Sequence, residues 1–177
     1  MIWNQVKKTY SRMVSTMRLD EKVLSELQQD PAATYQAAAV VAIASIATAV
    51  HIPGSGLVFI LIVIVRVIVW WLLGSLLMYV VGTTVLKGET AQDIRYSNVL
   101  RGVGFSLSPR IFRVFLFIEP FSIGQVIFYL VTFWQFACMV VSLRSSLGYK
   151  STYRAAWVVA LAFIPLIILE PFLLGQR

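Results

Sequence analysis

Long runs of apolar residues alternate with short polar stretches along most of the chain. Four runs are almost purely apolar and cover residues 32–50, 57–86, 123–143 and 155–169. A helix crosses a bilayer core with about 20 apolar residues, so we interpret each run as a membrane span. The last run extends to residue 174 if its helix tolerates Pro171. The pattern predicts an all-α integral membrane protein.

A further segment, residues 96–118, lies third in chain order and is less regular. It contains Gly102, Gly104 and Pro109 as well as Arg101, Arg110 and Arg113. Because proline removes a helical hydrogen bond and clashes with the preceding turn, we expect a break near Ser108-Pro109. The segment then either spans as two half-helices or dips into the membrane and returns. Counted as a span, it gives five transmembrane helices, the third of them broken.

The first residues of the chain follow a different pattern. Residues 2–19 carry apolar side chains at spacings of three and four, accompanied by cations. This predicts an amphipathic helix on the membrane surface, and the residues expected to face it are Trp3, Lys7, Lys8, Arg12 and Arg18. A helix packed on the protein's own cytoplasmic loops explains the pattern equally well. A second short helix is predicted at residues 21–29, with Asp20 as its N-cap.

The pair Asp30-Pro31 marks a boundary between two parts of the chain. Asp is a favourable N-cap and Pro is tolerated in the first helical turn, so the first span begins here. Residues 1–31 are thus expected to form cytoplasmic amphipathic helices, and residues 32–177 a transmembrane domain. The many alanines of the first span allow backbones to approach closely, which predicts a central position in the bundle.

The polar stretches between the spans differ in charge. Basic residues lie in the N-terminal segment and in the loops at residues 87–95 and 144–154, whereas the turns at residues 51–56 and 119–122 contain no lysine or arginine. Cytoplasmic loops of membrane proteins are enriched in such cations. With five spans, this distribution predicts a cytoplasmic N-terminus and a C-terminus outside.

Composition supports a membrane protein and argues against several functions. Of the 177 residues, 59% are apolar and 13% are charged, and the net charge is +7. Because the basic residues lie between the apolar runs, nucleic-acid binding is not expected. Cys138 is the only cysteine and His51 the only histidine, so neither a metal site nor a Ser-His pair is expected. No nucleotide-binding or catalytic motif is present, and neither a cofactor nor enzymatic activity is predicted.

A short frame occurs twice, as Glu119-Pro120-Phe121-Ser122-Ile123-Gly124-Gln125 and as Glu170-Pro171-Phe172-Leu173-Leu174-Gly175-Gln176. In the predicted topology both glutamates emerge on the outer side. An arginine within a span is costly and usually finds a partner inside the protein. We therefore predict an outer-side ionic cluster of Arg66, Arg110, Arg113, Glu119 and Glu170, with a ligand site between the carboxylates as the alternative interpretation.

Several residues resemble the Yip1-domain family of polytopic membrane proteins, in its bacterial type. They are Gly82, the stretch from Leu100 to Pro109, Ile123-Gly124, Trp134 and the run from Ser142 to Ala155. The resemblance implies five membrane helices, a cytoplasmic N-terminus and, for a bacterial member, the cytoplasmic membrane. Eukaryotic members bind Rab-type GTPases, but their Asp-Leu-Tyr-Gly-Pro motif is missing here, which argues against such a partner.

Two functions fit these observations. The first is a non-enzymatic scaffold or accessory subunit that contacts the lipid bilayer and other membrane proteins, as part of a larger membrane complex. The alternative is a small transporter or channel component, whose path would be lined by the polar residues of the spans: Gln36, Arg66, Ser75, Gln125, Thr132 and Gln135. A wet path along the three glutamines would favour transport, and a dry bundle would favour the subunit.

Overall fold

The computed structural model of the protein describes residues 2–50, 56–86, 94–117 and 121–173, with the side chains of residues 3–50, 56–86, 94–116 and 123–165. Every regular element in these ranges is helical. The α-helices are α1 (Ile2–Met17), α2 (Glu21–Gln29), α3 (Ala33–Ala49), α4 (Leu57–Val80), α5 (Tyr96–Phe105), α6 (Phe121–Ser146) and α7 (Thr152–Leu173). A π-helical turn, Val81–Val85, continues α4, and a 3₁₀ segment, Ser108–Phe117, lies between α5 and α6.

The two N-terminal helices form as the sequence predicts. The chain leaves α1 through Leu19, whose φ of 60° reverses its direction. Asp20 then caps α2, because its carboxylate accepts hydrogen bonds from the backbone N–H groups of Lys22 and Val23. Helices α1 and α2 pack against each other, and both also contact α5 and α6. The N-terminal part of the chain is therefore seated on the helices that follow it.

A sharp bend of 116° separates α2 from α3. Asp30 serves both helices, since its N–H bonds to the carbonyl of Leu27 while its carboxylate accepts from the N–H of Ala32. Helix α3 is buried along much of its length through small side chains such as Ala37, Ala44 and Ala47. These alanines let α4, α5 and the 3₁₀ segment approach closely, so the predicted central position of the first span is confirmed.

The C-terminal end of α4, which we expect on the cytoplasmic side, has an unusual geometry. Helix α4 continues into the π-helical turn Val81–Val85, where Gly82 is buried. A Cβ on Gly82 would press against the side chains of Leu147 and Tyr149. The hydroxyl of Tyr149 lies within hydrogen-bonding distance of the carbonyls of Gly82 and Leu86. The end of α4 is thus joined to the loop between α6 and α7.

The predicted break in the third segment is confirmed. Helix α5 ends at Phe105, and the 3₁₀ segment begins at Ser108, directly before Pro109. The hydroxyl of Ser108 donates to the carbonyl of Phe105, which satisfies one group at the end of α5. The residues at the break are buried, with α5 packed against α3, α4 and α6 and the 3₁₀ segment against α3 and α6.

Two described helices are long and apolar enough to cross a membrane, Leu57–Val85 and Ile123–Ser146. The bent pair Glu21–Gln29 and Ala33–Ala49 adds a third if it forms one span. The side chains of α7 are described only as far as Pro165, which leaves a shorter apolar helix, Thr152–Pro165. The chain is therefore an all-helical protein with two to three candidate spans, and the count of five stays a prediction.

Candidate functional site

The three arginines of the predicted ionic cluster come together in the structure. Arg66 lies on α4, while Arg110 and Arg113 lie on the 3₁₀ segment. The charges of Arg66 and Arg113 are close enough to Arg110 for Coulombic repulsion. The 3₁₀ segment that follows the Ser108-Pro109 break positions two of the three guanidinium groups. The cluster is thus assembled from residues more than forty positions apart in the sequence.

Arg110 finds its described acceptor on α6. Its Nε donates to Oε1 of Gln135 over 2.6 Å, and the side chain of Gln135 is itself buried. An amide oxygen stabilises the guanidinium by a hydrogen bond but does not neutralise its charge. The contact therefore fixes the position of Arg110 without supplying a counter-charge.

Arg113 is buried among neutral groups of α6. One Nη donates to the hydroxyl of Thr132 over 3.2 Å, and the guanidinium carbon lies 4.8 Å from the ring centroid of Phe128. Its Nε is buried with no hydrogen-bond partner among the described residues. Cation–π contact stabilises a cation in an apolar setting, but again leaves its charge in place.

A cavity of about 270 Å³ lies beside this cluster. We call it the arginine cavity, and its lining includes Arg66, Trp70, Trp71, Leu107, Arg110, Gln135 and Phe163. These residues come from α4, α6, α7, the 3₁₀ segment and the connection that precedes it. Polar groups occupy part of the wall, and aromatic and aliphatic side chains form the rest. Such a wall is suited to a ligand that carries an anionic group on an apolar body.

The predicted ionic cluster also contains two carboxylates. Glu119 and the side chain of Glu170 lie outside the described residues. Arg66 has an interaction partner of its own. The pairing of Arg66 with Glu119 or Glu170 therefore stays a prediction, as does a ligand site between the two carboxylates.

A second group of arginines surrounds the bend between α2 and α3. One Nη of Arg12 donates to the carboxylate of Asp30 over 2.6 Å, and the other donates to Oε1 of Gln36. Lys8 also contacts Asp30, with 3.0 Å between Nζ and the carboxylate oxygen. The Arg12 and Lys8 hydrogen bonds lower the pKa of Asp30 to about 2. Arg12 and Lys8 thus share the carboxylate of Asp30.

Arg101 completes this group from α5. It is only 8% exposed, and its Nη1 donates to the carbonyl of Gln28 over 2.6 Å while its Nε donates to the hydroxyl of Thr34 over 2.8 Å. Gln28 in turn donates to the carbonyl of Ser142 on α6. Since Gln28 belongs to the last turn of α2, Arg101 satisfies a helix-end carbonyl that the bend leaves without an intrahelical partner. The guanidinium thus joins α5 to α2 and α3, and the side chain of Gln28 extends the network to α6.

Sequence reasoning did not identify Arg101 as a site residue. Its partners Gln28 and Thr34 lie 73 and 67 positions away in the chain. One signal was available, because Arg101 stands directly beside Gly102 in an otherwise apolar stretch. A cation in such a stretch has to find its hydrogen bonds in neighbouring helices.

The predicted membrane-surface residues fall into two groups. Trp3 is 67% exposed, Lys7 lies over its ring, and Arg18 is also exposed. Lys8 is half-exposed, whereas the side chain of Arg12 is 11% exposed and turned toward Asp30. Contact of the exposed group with lipid headgroups stays a prediction.

Helix α1 is also fastened to α6 by its last carbonyls. The indole of Trp134 donates to the carbonyl of Met17 over 2.9 Å, and the thiol of Cys138 lies 3.4 Å from the carbonyl of Thr16. Both donors belong to the apolar part of α6. Helix α1 therefore packs on the protein's own helices along one side, and leaves the side with Trp3 and Lys7 accessible.

The described side chains that converge at the arginine cavity are mainly hydrogen-bond donors. No group of three or more His, Cys, Asp or Glu side chains that could hold a metal occurs in the described part of the chain. The convergent groups of the arginine cavity are guanidinium donors, an amide and indoles. No protein-family model, curated protein or solved structure significantly matches the chain.

Proposed function

We propose that the protein is a non-enzymatic accessory subunit or scaffold of a larger membrane complex. In this proposal it acts through contacts with another membrane protein and with lipid. Its five spans would be α3, α4 with its π-helical turn, α5 with the 3₁₀ segment, α6, and α7. The N-terminus would lie in the cytoplasm and the C-terminus outside, in the cytoplasmic membrane of a bacterium. Membership of the Yip1-domain family belongs to the same proposal, without a Rab-type GTPase as partner.

The positions of three glutamines favour a subunit over a transporter. Gln36 bonds to Arg12 and Gln5 beside the N-terminal helix, and Gln135 bonds to Arg110 at the arginine cavity. The side chain of Gln125 is exposed on α6. The three therefore lie in separate surroundings and do not line one path. This favours a protein that acts through its surface.

Helix α4 supplies the surface for a partner. Only 11% of its most apolar 18-residue window is buried, compared with 39% for α6. Its outer side presents exposed apolar residues, among them Leu61, Ile62, Val65 and Val69. A wide apolar face of this kind is covered either by lipid chains or by another transmembrane helix, and we propose the second.

Site-directed photocrosslinking tests the proposal. A photoreactive residue at Ile62 should yield one crosslinked polypeptide at fixed stoichiometry in the native membrane. The same residue at Val41, which is fully buried in α3, provides the matched control and should yield only internal products. Crosslinks from Ile62 to lipid alone would contradict the subunit proposal.

A transporter or channel component is the second candidate, and the arginine cavity is the observation that favours it. The cavity places guanidinium groups inside the helical bundle, where they can attract an anion. Reconstituted vesicles would then show anion flux that falls when Arg110 is replaced. Wild-type flux equal to that of empty vesicles would remove this candidate.

A further inference from the structure

The charges beside the arginine cavity require compensation. A charged arginine within a membrane segment costs free energy unless opposite charge or hydrogen bonds offset it. The described acceptors of Arg110 and Arg113 are the amide of Gln135 and the hydroxyl of Thr132, and both are neutral. Among the described residues, the charged neighbours that act on Arg110 are two further arginines. An anion near Arg110 would therefore be strongly favoured.

The cavity has room for such an anion. A water molecule needs only about 10–15 Å³ of cavity space, whereas this cavity offers about 270 Å³. Arg110 and Gln135 form one part of its wall, and Val67, Trp70 and Phe163 contribute apolar surface. The space can therefore hold a group of several atoms, with its charge at the guanidinium and its apolar part against the rings.

The planar guanidinium fork selects among anions. It matches the oxygens of a phosphate in a bidentate arrangement that an ammonium group cannot form. A bilayer presents phosphodiester groups beside every spanning helix, and each is joined to apolar chains. Because Arg66 has an interaction partner of its own, the anion is assigned to Arg110, which lies beside Gln135 in the cavity wall.

We propose that the arginine cavity binds a phosphate group through Arg110, with the apolar wall holding the organic part of the ligand. The phosphate comes either from an anionic phospholipid or from a soluble phosphate compound. The site goes beyond the proposed subunit role, since it needs no protein partner.

Native mass spectrometry of the purified full-length protein tests the site. The protein is equilibrated in detergent with phosphatidylglycerol or with phosphatidylcholine, and the retained lipid is counted. Wild type should hold one phosphatidylglycerol about tenfold more tightly than phosphatidylcholine, and Arg110→Met should lose that preference, a change typical of one charge-assisted contact. Arg154→Met, which removes an exposed arginine outside the cavity lining, is the matched control and should keep it.

A second variant separates loss of the site from loss of the fold. Val67→Phe keeps every charge but fills the cavity, so it should reduce phosphatidylglycerol retention while gel filtration and the melting temperature in detergent stay near wild type. Equal retention by wild type, Arg110→Met and Val67→Phe would overturn the proposal. Retention lost only in Arg154→Met would also overturn it, because the lipid would then bind at the surface.

Inorganic phosphate distinguishes the two sources of the ligand. If millimolar phosphate releases the bound phosphatidylglycerol from wild type, the site takes soluble phosphate. If retention is unaffected, the site takes the lipid. The double variant Glu119→Gln and Glu170→Gln addresses the remaining alternative. Phosphatidylglycerol binding seen only in that variant would show that the chain supplies its own counter-charge, and the proposal would fail.

Discussion

The two groups of arginines in this molecule solve the same electrostatic problem in different ways. Around the bend between α2 and α3, Arg12 meets the carboxylate of Asp30, and Arg101 meets the carbonyl at the end of α2. At the arginine cavity, Arg110 and Arg113 meet an amide and a hydroxyl. The first group joins helices that would otherwise separate. The second holds positive charge beside an open space.

This difference separates a structural role from a ligand-binding role. An arginine whose hydrogen bonds all end on a helix terminus and its neighbours contributes to the fold, because its removal leaves those groups without partners. An arginine that retains uncompensated charge contributes little to the fold and more to ligand attraction. The predictions below test this division, in order of decreasing effect on stability.

The largest loss is expected for Arg101→Met. The substitution leaves the carbonyl of Gln28 and the hydroxyl of Thr34 without their donor, which should lower the free energy of unfolding by about 3 kcal/mol. Thermal and denaturant unfolding in mild detergent would measure it. Arg18→Met, at an exposed position, should change stability by less than about 0.5 kcal/mol. Equal effects of the two substitutions would contradict the structural role of Arg101.

Gly102→Ala should be the next most damaging. A Cβ at this position would collide with Oγ of Ser142 and lie 3.2 Å from Nε2 of Gln28. Forcing α5 away from α6 should cost about 2 kcal/mol, measured by the same unfolding assay. Gly56→Ala is the control, since a Cβ there meets nothing within 4 Å. Adding Ser142→Ala to Gly102→Ala should recover part of the loss, and no recovery would place the strain elsewhere.

A substitution in the predicted ionic cluster should also lower the free energy of unfolding. Arg66→Met alone should destabilise the bundle by about 1–2 kcal/mol, because it would leave the carboxylate predicted as its partner without a cation. Adding Glu119→Gln or Glu170→Gln should partly restore stability, and the restoring substitution identifies the partner. Equal unfolding of wild type and Arg66→Met would dispose of the predicted pairing.

Asp30 should make stability depend on pH. Its pKa falls from 3.8 to about 2 on folding, chiefly through the hydrogen bonds from Arg12 and Lys8. A lowered pKa means that the contribution is present above pH 3.8 and is lost as the pH falls toward 2. Asp30→Asn should cost about 1 kcal/mol at neutral pH and remove this dependence, as followed by melting temperature against pH. Glu26→Gln, an exposed carboxylate on α2, should leave the dependence unchanged.

The smallest effect is expected at the arginine cavity. Replacing Arg110 by Met and Gln135 by Leu together removes a donor with its acceptor and fills the space with apolar atoms. Such exchanges are often neutral or stabilising, so the melting temperature should stay within the error of wild type or rise. A loss as large as that of Arg101→Met would erase the distinction between the two groups.

The sequence predicted local features well. The start of α2 at the Asp20 cap and the break at Ser108-Pro109 depend on short-range chemistry. Each needs only a side chain and its nearest turn. Such features can be predicted from one sequence.

The contacts between distant helices could not be predicted in the same way. Arg12 carries the charge pattern of a membrane-surface residue, yet it faces Asp30 and Gln36 because α2 reverses beneath it. The partners of Arg101, Arg110 and Arg113 depend on which helices pack together, and apolar periodicity does not specify that. Arg110 and Arg113 were predicted as site residues from the sequence, but their acceptors on α6 were not.

The hydroxyl of Tyr149 has a consequence for how α4 can move. It lies against the carbonyl of Gly82, within the π-helical turn, and that of Leu86, directly after it. Sliding α4 along its axis by one residue, or rotating it, would carry both carbonyls away from the ring at once. A force on the outer surface of α4 would therefore act, through these two contacts of Tyr149, on the hairpin of α6 and α7. Of the two long candidate spans, the one with the more exposed apolar window is thus coupled to the loop between α6 and α7.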